Sequence, residues 1–182
     1  AKSAHALPCT YDPSGPWTPS GASGSGVYHL GALDWLPNVQ GLQWYLEEVH
    51  PHVAVPVTVV SRQWPAQLPR AHGVNHLPRL EDGFSFEAHG IFIAPILSGS
   101  GMRIKLLEAM VRGKAIVTTS IGAEGLKNAP GISVANEPKA FAEAIQRLVE
   151  DKDYRLAQGV AAQAHARATF ADDALVASLR AL

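Results

Sequence analysis

The stretch that decides the fold is residues 89–120, HGIFIAPILSGSGMRIKLLEAMVRGKAIVTTS. It reads as strand, glycine-rich turn, helix, strand. Gly90 to Pro95 is a short apolar run bounded by Gly and Pro, too short for a helix, and is read as a buried strand. In the turn Leu97 to Gly101, two glycines and two serines can take up positive φ and bring backbone amides close to a ligand. From Met102 the period becomes helical. Met102, Leu106, Leu107 and Met110 form an apolar stripe, with Lys105, Glu108 and Arg112 on the opposite face. Gly113 stops that helix, and Ala115 to Thr119 is the next strand.

A helix that emerges from a Gly/Ser loop presents free N–H groups and the positive end of its dipole, an arrangement suited to a phosphate or diphosphate. Gly99, Ser100, Gly101 and Met102 supply those amides. Lys105, one turn in, can reach back toward a bound anion. Glu108, a turn further, can accept two hydrogen bonds from a diol such as a ribose. The competing reading makes Lys105 and Glu108 an ordinary three-apart helix ion pair.

The stretch GSGMRIKLLEAMVRGKAIVTTSIGAEGL at 99–126, with LGALDWLPNVQGLQWYLEEVHP at 30–51, resembles the nucleotide-sugar-binding half of the group 1 glycosyltransferases, enzymes of the two-domain GT-B fold. The likeness covers roughly residues 27–170. It implies the C-terminal, donor-binding domain of such an enzyme, with the acceptor-binding N-terminal domain missing. Retention of configuration, no bound metal, no cofactor and a nucleoside diphosphate sugar as substrate are also implied. Many members carry two glutamates eight positions apart, the first on the transferred sugar; counting back eight from Glu108 gives Ser100, so that carboxylate is replaced by a neutral hydroxyl. The GSGMRIK form resembles a branch of the same family, in which the change concerns sugar handling.

Outward from this centre, residues 1–26 hold four prolines and the run Gly21 to Gly26 without any periodicity and are read as linker, partly disordered, on which Tyr11 and Trp17 can dock. Val27 to Leu33 is the first strand, followed by a helix from Asn38 to His50 whose apolar face is Leu42, Tyr45, Leu46 and Val49. Gly31 and Ala32 leave room at the carboxyl edge of the sheet, where open α/β folds bind ligands. Asp34 and Asn38 then face substrate, or Asp34 is a turn or cap residue. Pro56 to Val60 is the second strand, leading to Arg62, which either clamps diphosphate oxygens or is a solvated loop arginine. His72 to Leu77 is the third strand, and Pro78 to Ala88 a short helix or turn. By resemblance, Leu77 lies near the base, beside the acidic pair Glu81 and Asp82. In the loop Ser120 to Leu126, Glu124 resembles a donor-closing residue that binds a sugar hydroxyl; it can equally cap a short helix. Gly131 to Ala135 is the sixth strand, and Pro138 to Glu150, Tyr154 to Ala168 and Asp172 to Leu182 are helices. Together these predict a doubly wound α/β domain over 27–182 with strand order 3-2-1-4-5-6.

Composition narrows the remaining chemistry. With 47% apolar and 17% charged residues the chain is a globular protein, and a net charge of −1 gives no drive toward nucleic acid or anionic membrane. The single Cys9 cannot form an internal disulfide or a cysteine metal site, from which a cytoplasmic location is expected. No apolar run approaches the roughly 18 residues of a membrane span. Ser98 stands where a nucleophile elbow needs its first Gly, no Gly-Lys-Ser/Thr follows the loop, and Ile104 breaks a dinucleotide fingerprint. The eight histidines are scattered, and His50-Pro-His52 lacks further ligands, so no metal site is expected.

The expected activity is therefore glycosyl transfer, with Arg62 and Lys105 on the leaving diphosphate and Glu108 on ribose. The chain alone is expected to bind nucleotide weakly and to turn over nothing measurable. A sugar-nucleotide epimerase or hydrolase on the same fold, and a non-catalytic α/β interaction module, are the other classes.

Overall fold

The structure, a computed structural model, describes residues 24–126 and 128–171. Runs rich in β-branched residues make the strands. β1 (Val27–Leu30), β2 (Val57–Val60), β3 (Val74–Leu77), β4 (Ile91–Ala94), β5 (Ala115–Thr118) and β6 (Ile132–Val134) form one sheet in the order β3-β2-β1-β4-β5-β6, every pair parallel. The expected order is the observed one. The inner strands β2, β4 and β5 are buried throughout, as they must be when helices cover both faces. The edge strands β3 and β6 are only half-buried.

Four helices complete the layers: α1 (Leu36–Trp44), α2 (Ile104–Val111), α3 (Pro138–Glu150) and α4 (Lys152–Phe170). One core lies on the α1/α3 face around Leu42, Val59, Ile93 and Phe141; the other, around Phe92, Leu107, Met110 and Ile116, lies on the α2/α4 face. Trp44 meets Phe141 edge-on at 5.5 Å, locking α1 to α3. Gly41 lets α1 come down on the strap after β4, since a Cβ there would sit 1.7 Å from the Pro95 carbonyl oxygen. Asp151 caps α4 by accepting from the Tyr154 N–H at 2.8 Å.

Several boundaries differ from the sequence reading, each for a local reason. β1 ends at Leu30, because Gly31 donates to the Val60 carbonyl and Leu33 N–H turns to the Ser61 hydroxyl. The first helix begins at Leu36, with Pro37 supplying a first-turn position that needs no N–H, and passes through a π turn (Tyr45–Val49) into a 3-10 turn (His50–His52). α2 begins at Ile104, two residues later than expected; Arg103 before it is extended, with φ −90° and ψ 102°. Between β3 and β4 there is only a 3-10 turn (Leu80–Asp82), ended by Gly83 at φ 103°. Residues 24–26, read as linker, lie on the segment before β4: Gly24 and Gly26 donate to the Glu87 and Ala88 carbonyls, and Ser25 pairs with His89. The docking of Tyr11 and Trp17 and the final helix from Asp172 fall outside the described residues. Among the described residues no helix is long and apolar enough to cross a membrane.

Candidate functional site

The carboxyl ends of β1, β2 and β3 open on a cavity of about 710 Å³. Its wall runs from Gly31 through Trp35 and Asn38 to Arg62, Pro78 and the start of α2. Of the expected site residues, Arg62, Met102 and Lys105 line it. Gly99, Ser100 and Gly101 form the exposed loop beside it, with Gly99 at φ 99° and Gly101 at φ 85°, so the glycines do adopt the left-handed backbone the loop needs. Leu77 is not part of the wall. It closes β3 with its carbonyl accepting from Ser61 N–H, and the next residue, Pro78, faces the cavity.

Lys105 does not pair with Glu108. Its ammonium donates to Asn38 Oδ1 at 2.6 Å, and Asn38 is held in turn by donating Nδ2–H to the Ala32 carbonyl at 2.8 Å. A half-buried cation beside a neutral amide is poorly compensated. Burial first, and the neighbouring Arg103 second, pull the Lys105 pKa down to about 8. It is a cation poised to gain an anionic partner. Glu108 lines a second, smaller cavity of about 190 Å³ with Tyr28, Leu80 and Phe86; Lys105 belongs to both cavities and marks where they adjoin. Phe86 is fixed there by Lys114, a fully buried lysine that donates to its carbonyl at 2.5 Å, and by Arg112 over its ring at 4.1 Å.

Three side chains of the site escaped the sequence reading. Arg103 is 7% exposed and donates to the Ser100 and Ser98 carbonyls at 3.0 and 3.4 Å, while its Nε has no partner. Its guanidinium draws the loop's carbonyls inward and packs over the ring of Trp35 at 5.8 Å. His29, fully buried at the end of β1, donates Nδ1–H to the Ile93 carbonyl at 3.1 Å; this leaves Nε2 as a bare acceptor beneath Gly31. Burial, and then the Lys105 charge, lower the His29 pKa to about 3, so the ring is neutral. Trp35 is 44% exposed at the mouth and makes an aromatic rim.

Glu124 neither caps a helix nor faces open solvent alone. Its carboxylate accepts the Gly101 N–H at 2.8 Å, joining the 120–126 loop to the Gly/Ser loop. Asp34 lines the mouth and Asn38 is the buried support of Lys105. The first turn of α2 has no side-chain cap; the Leu106 N–H is held by the Arg103 carbonyl at 2.9 Å, which leaves the Ile104 and Lys105 amides open to an anion. The site thus combines an uncapped helix start, a glycine loop and three cations in the cavity lining, Arg62, Arg103 and Lys105, an arrangement fit to hold linked phosphates.

Comparison with known proteins identifies the family and the fold. The sequence profile described as glycosyl transferases group 1 matches residues 24–151. A curated relative, an uncharacterized 44.6 kDa protein of the cps region of Klebsiella pneumoniae, is 31% identical over 138 residues, which is 65% of this chain and 36% of that protein. Among solved structures, HepE of Anabaena in complex with UDP-glucose superposes with a TM-score of 0.60 at 19% identity, over 91% of this chain and 54% of that one. Sucrose-phosphate synthase of Thermosynechococcus elongatus superposes with a TM-score of 0.71 at 13% identity, over 96% and 50%. The chain spans between about a third and about half of these relatives' length. With its matching profile over most of its length and its parallel sheet of the same fold, the chain belongs to the group 1 glycosyltransferases.

Proposed function

We propose that this chain is the donor-binding domain of a retaining, metal-independent glycosyltransferase, and that an acceptor-binding domain precedes it in the working enzyme. The observation that carries the reading is the half-buried Lys105 ammonium, supported only by a neutral amide, beside the uncapped start of α2. Such a cation gains most from a ligand that brings two linked phosphates.

In this reading the diphosphate of a nucleotide sugar lies along the cavity from the Gly/Ser loop to Arg62. Glu108 accepts the ribose hydroxyls in the adjoining smaller cavity. HepE of Anabaena binds UDP-glucose, which favours a nucleoside diphosphate hexose as the donor class. As the bond between the sugar's anomeric carbon and the phosphate oxygen breaks, negative charge grows on the departing diphosphate. Lys105, Arg62 and the amides of the loop stabilise that charge more in the transition state than in the bound donor. Arg103 keeps the loop's carbonyls turned away from the anion by binding them itself. Neither a metal nor a cofactor is required, because these cations perform the neutralisation.

The test is calorimetric titration of the chain with UDP, GDP and ADP, for wild type and Glu108→Ala. One of the three should bind wild type with a measurable heat that falls at least tenfold in affinity in the variant. Negligible and equal heats for all three nucleotides with both proteins would refute the reading.

A further inference from the structure

The carboxylate of Glu124 lies where an incoming phosphate is expected. The Gly/Ser loop has its carbonyls at Ser98 and Ser100 engaged by the buried Arg103 guanidinium, so its outward offering is amide hydrogen. The Gly101 amide, set by a φ of 85° that favours glycine, meets Glu124 Oε2 at 2.8 Å. Glu124 itself is exposed and sits between Ala123 and Gly125, the latter at φ 81° against Met102. Among the described residues the one ion pair is Arg79–Asp82, remote in sequence from either loop, so no cation pins the Glu124 carboxylate. Its anchor is a single backbone N–H on a neighbouring loop.

A carboxylate on an exposed amide, with no cation to hold it, is the weakest anion that seat can carry. A phosphate brings more charge and more acceptor oxygens, and like-charge repulsion moves the carboxylate away as it arrives. We propose that Glu124 is an internal stand-in anion: it occupies the Gly101 amide in the empty protein and is displaced by the diphosphate of the ligand. This rests on the donor-site reading and adds a determinant of affinity to it. Glu124 thereby sets a threshold, since an anion that reaches only the Gly101 amide merely exchanges with the carboxylate, whereas two linked phosphates also engage Lys105 and Arg62.

The experiment is titration of UDP into the chain with Glu124 wild type, Glu124→Gln and Glu124→Asp. Gln removes the charge and keeps a weaker, neutral acceptor; Asp keeps the charge on a side chain one methylene shorter, drawn back from Gly101. Both variants should bind UDP more tightly, by about three- to tenfold, because the charge-assisted hydrogen bond the ligand must displace is replaced by a weaker neutral one in Gln and weakened or lost in Asp. In 15N-correlated NMR spectra the Gly101 amide should shift on adding UDP to wild type and on either substitution alone. Weaker or unchanged binding by both variants would overturn the proposal and make Glu124 a support of the loop. Tighter binding by Gln with Asp equal to wild type would also overturn it, in favour of general charge repulsion. Absence of UDP, GDP and ADP binding in all three proteins would overturn the donor-site reading itself, and this inference with it.

Discussion

Titrating nucleotide binding against pH tests the role of Lys105 through its own protonation. Free in solution a lysine stays charged to about pH 10.5, but here burial and Arg103 bring it to about 8. A bound diphosphate favours the charged form and raises the pKa again, so binding takes up a proton wherever free Lys105 is neutral. The sign follows: affinity is level below about pH 8 and falls above it, by up to tenfold, or about 1.4 kcal/mol, for each further pH unit. Phosphate ionisation is nearly complete below this range, and the onset of uracil N3–H ionisation at its alkaline end is shared by Lys105→Arg, so the slope assigned to Lys105 is the difference between the two profiles. UDP would be titrated calorimetrically from about pH 7 to about pH 9.5, in buffers of different ionisation enthalpy so that proton uptake is measured separately. Lys105→Arg keeps its charge throughout and should give a profile level but for that onset, while Lys105→Met should be equally level and weak. A level wild-type profile, or a profile equally steep in wild type and Lys105→Arg, would refute the assignment.

Three further outcomes follow from the packing. Gly41→Ala places a methyl carbon 1.7 Å from the Pro95 carbonyl oxygen and should lower stability by about 3 kcal/mol or more, read as a shifted urea midpoint. His29 is neutral in the fold, with its pKa lowered to about 3. The unfolded chain binds that proton as pH falls below about 6.5, so stability should decline from there downward, less steeply in His29→Gln, as followed by circular dichroism. Asp151→Ala removes the α4 cap and should cost about 1 kcal/mol in the same assay, without altering nucleotide affinity.

The sheet was legible because its signals are local and mutually consistent. Ile91 to Ala94 and Ala115 to Thr118 are apolar runs of strand length, and the Gly/Ser turn and α2 between them fix a right-handed crossover that leaves little freedom in strand order. The side-chain partners were not legible, because they are set by tertiary approach. With the helix read from Met102, Arg103 has no role of its own; its extended backbone instead folds it under the loop. Lys105 and Glu108 have the spacing of an ion pair, yet Asn38, 67 residues away, takes the ammonium. Lys114 stands between Gly113 and β5, and only the return of the chain at Phe86 explains its burial. Glu124 has two local readings, and the structure gives a third partner 23 residues back.

The most direct test of the account is a crystal structure of the chain with UDP. The diphosphate should lie against the Gly/Ser loop, with Lys105 Nζ on a phosphate oxygen in place of Asn38 Oδ1 and the ribose against Glu108. UDP bound elsewhere, with Lys105 still on Asn38 and the cavity empty, would contradict it.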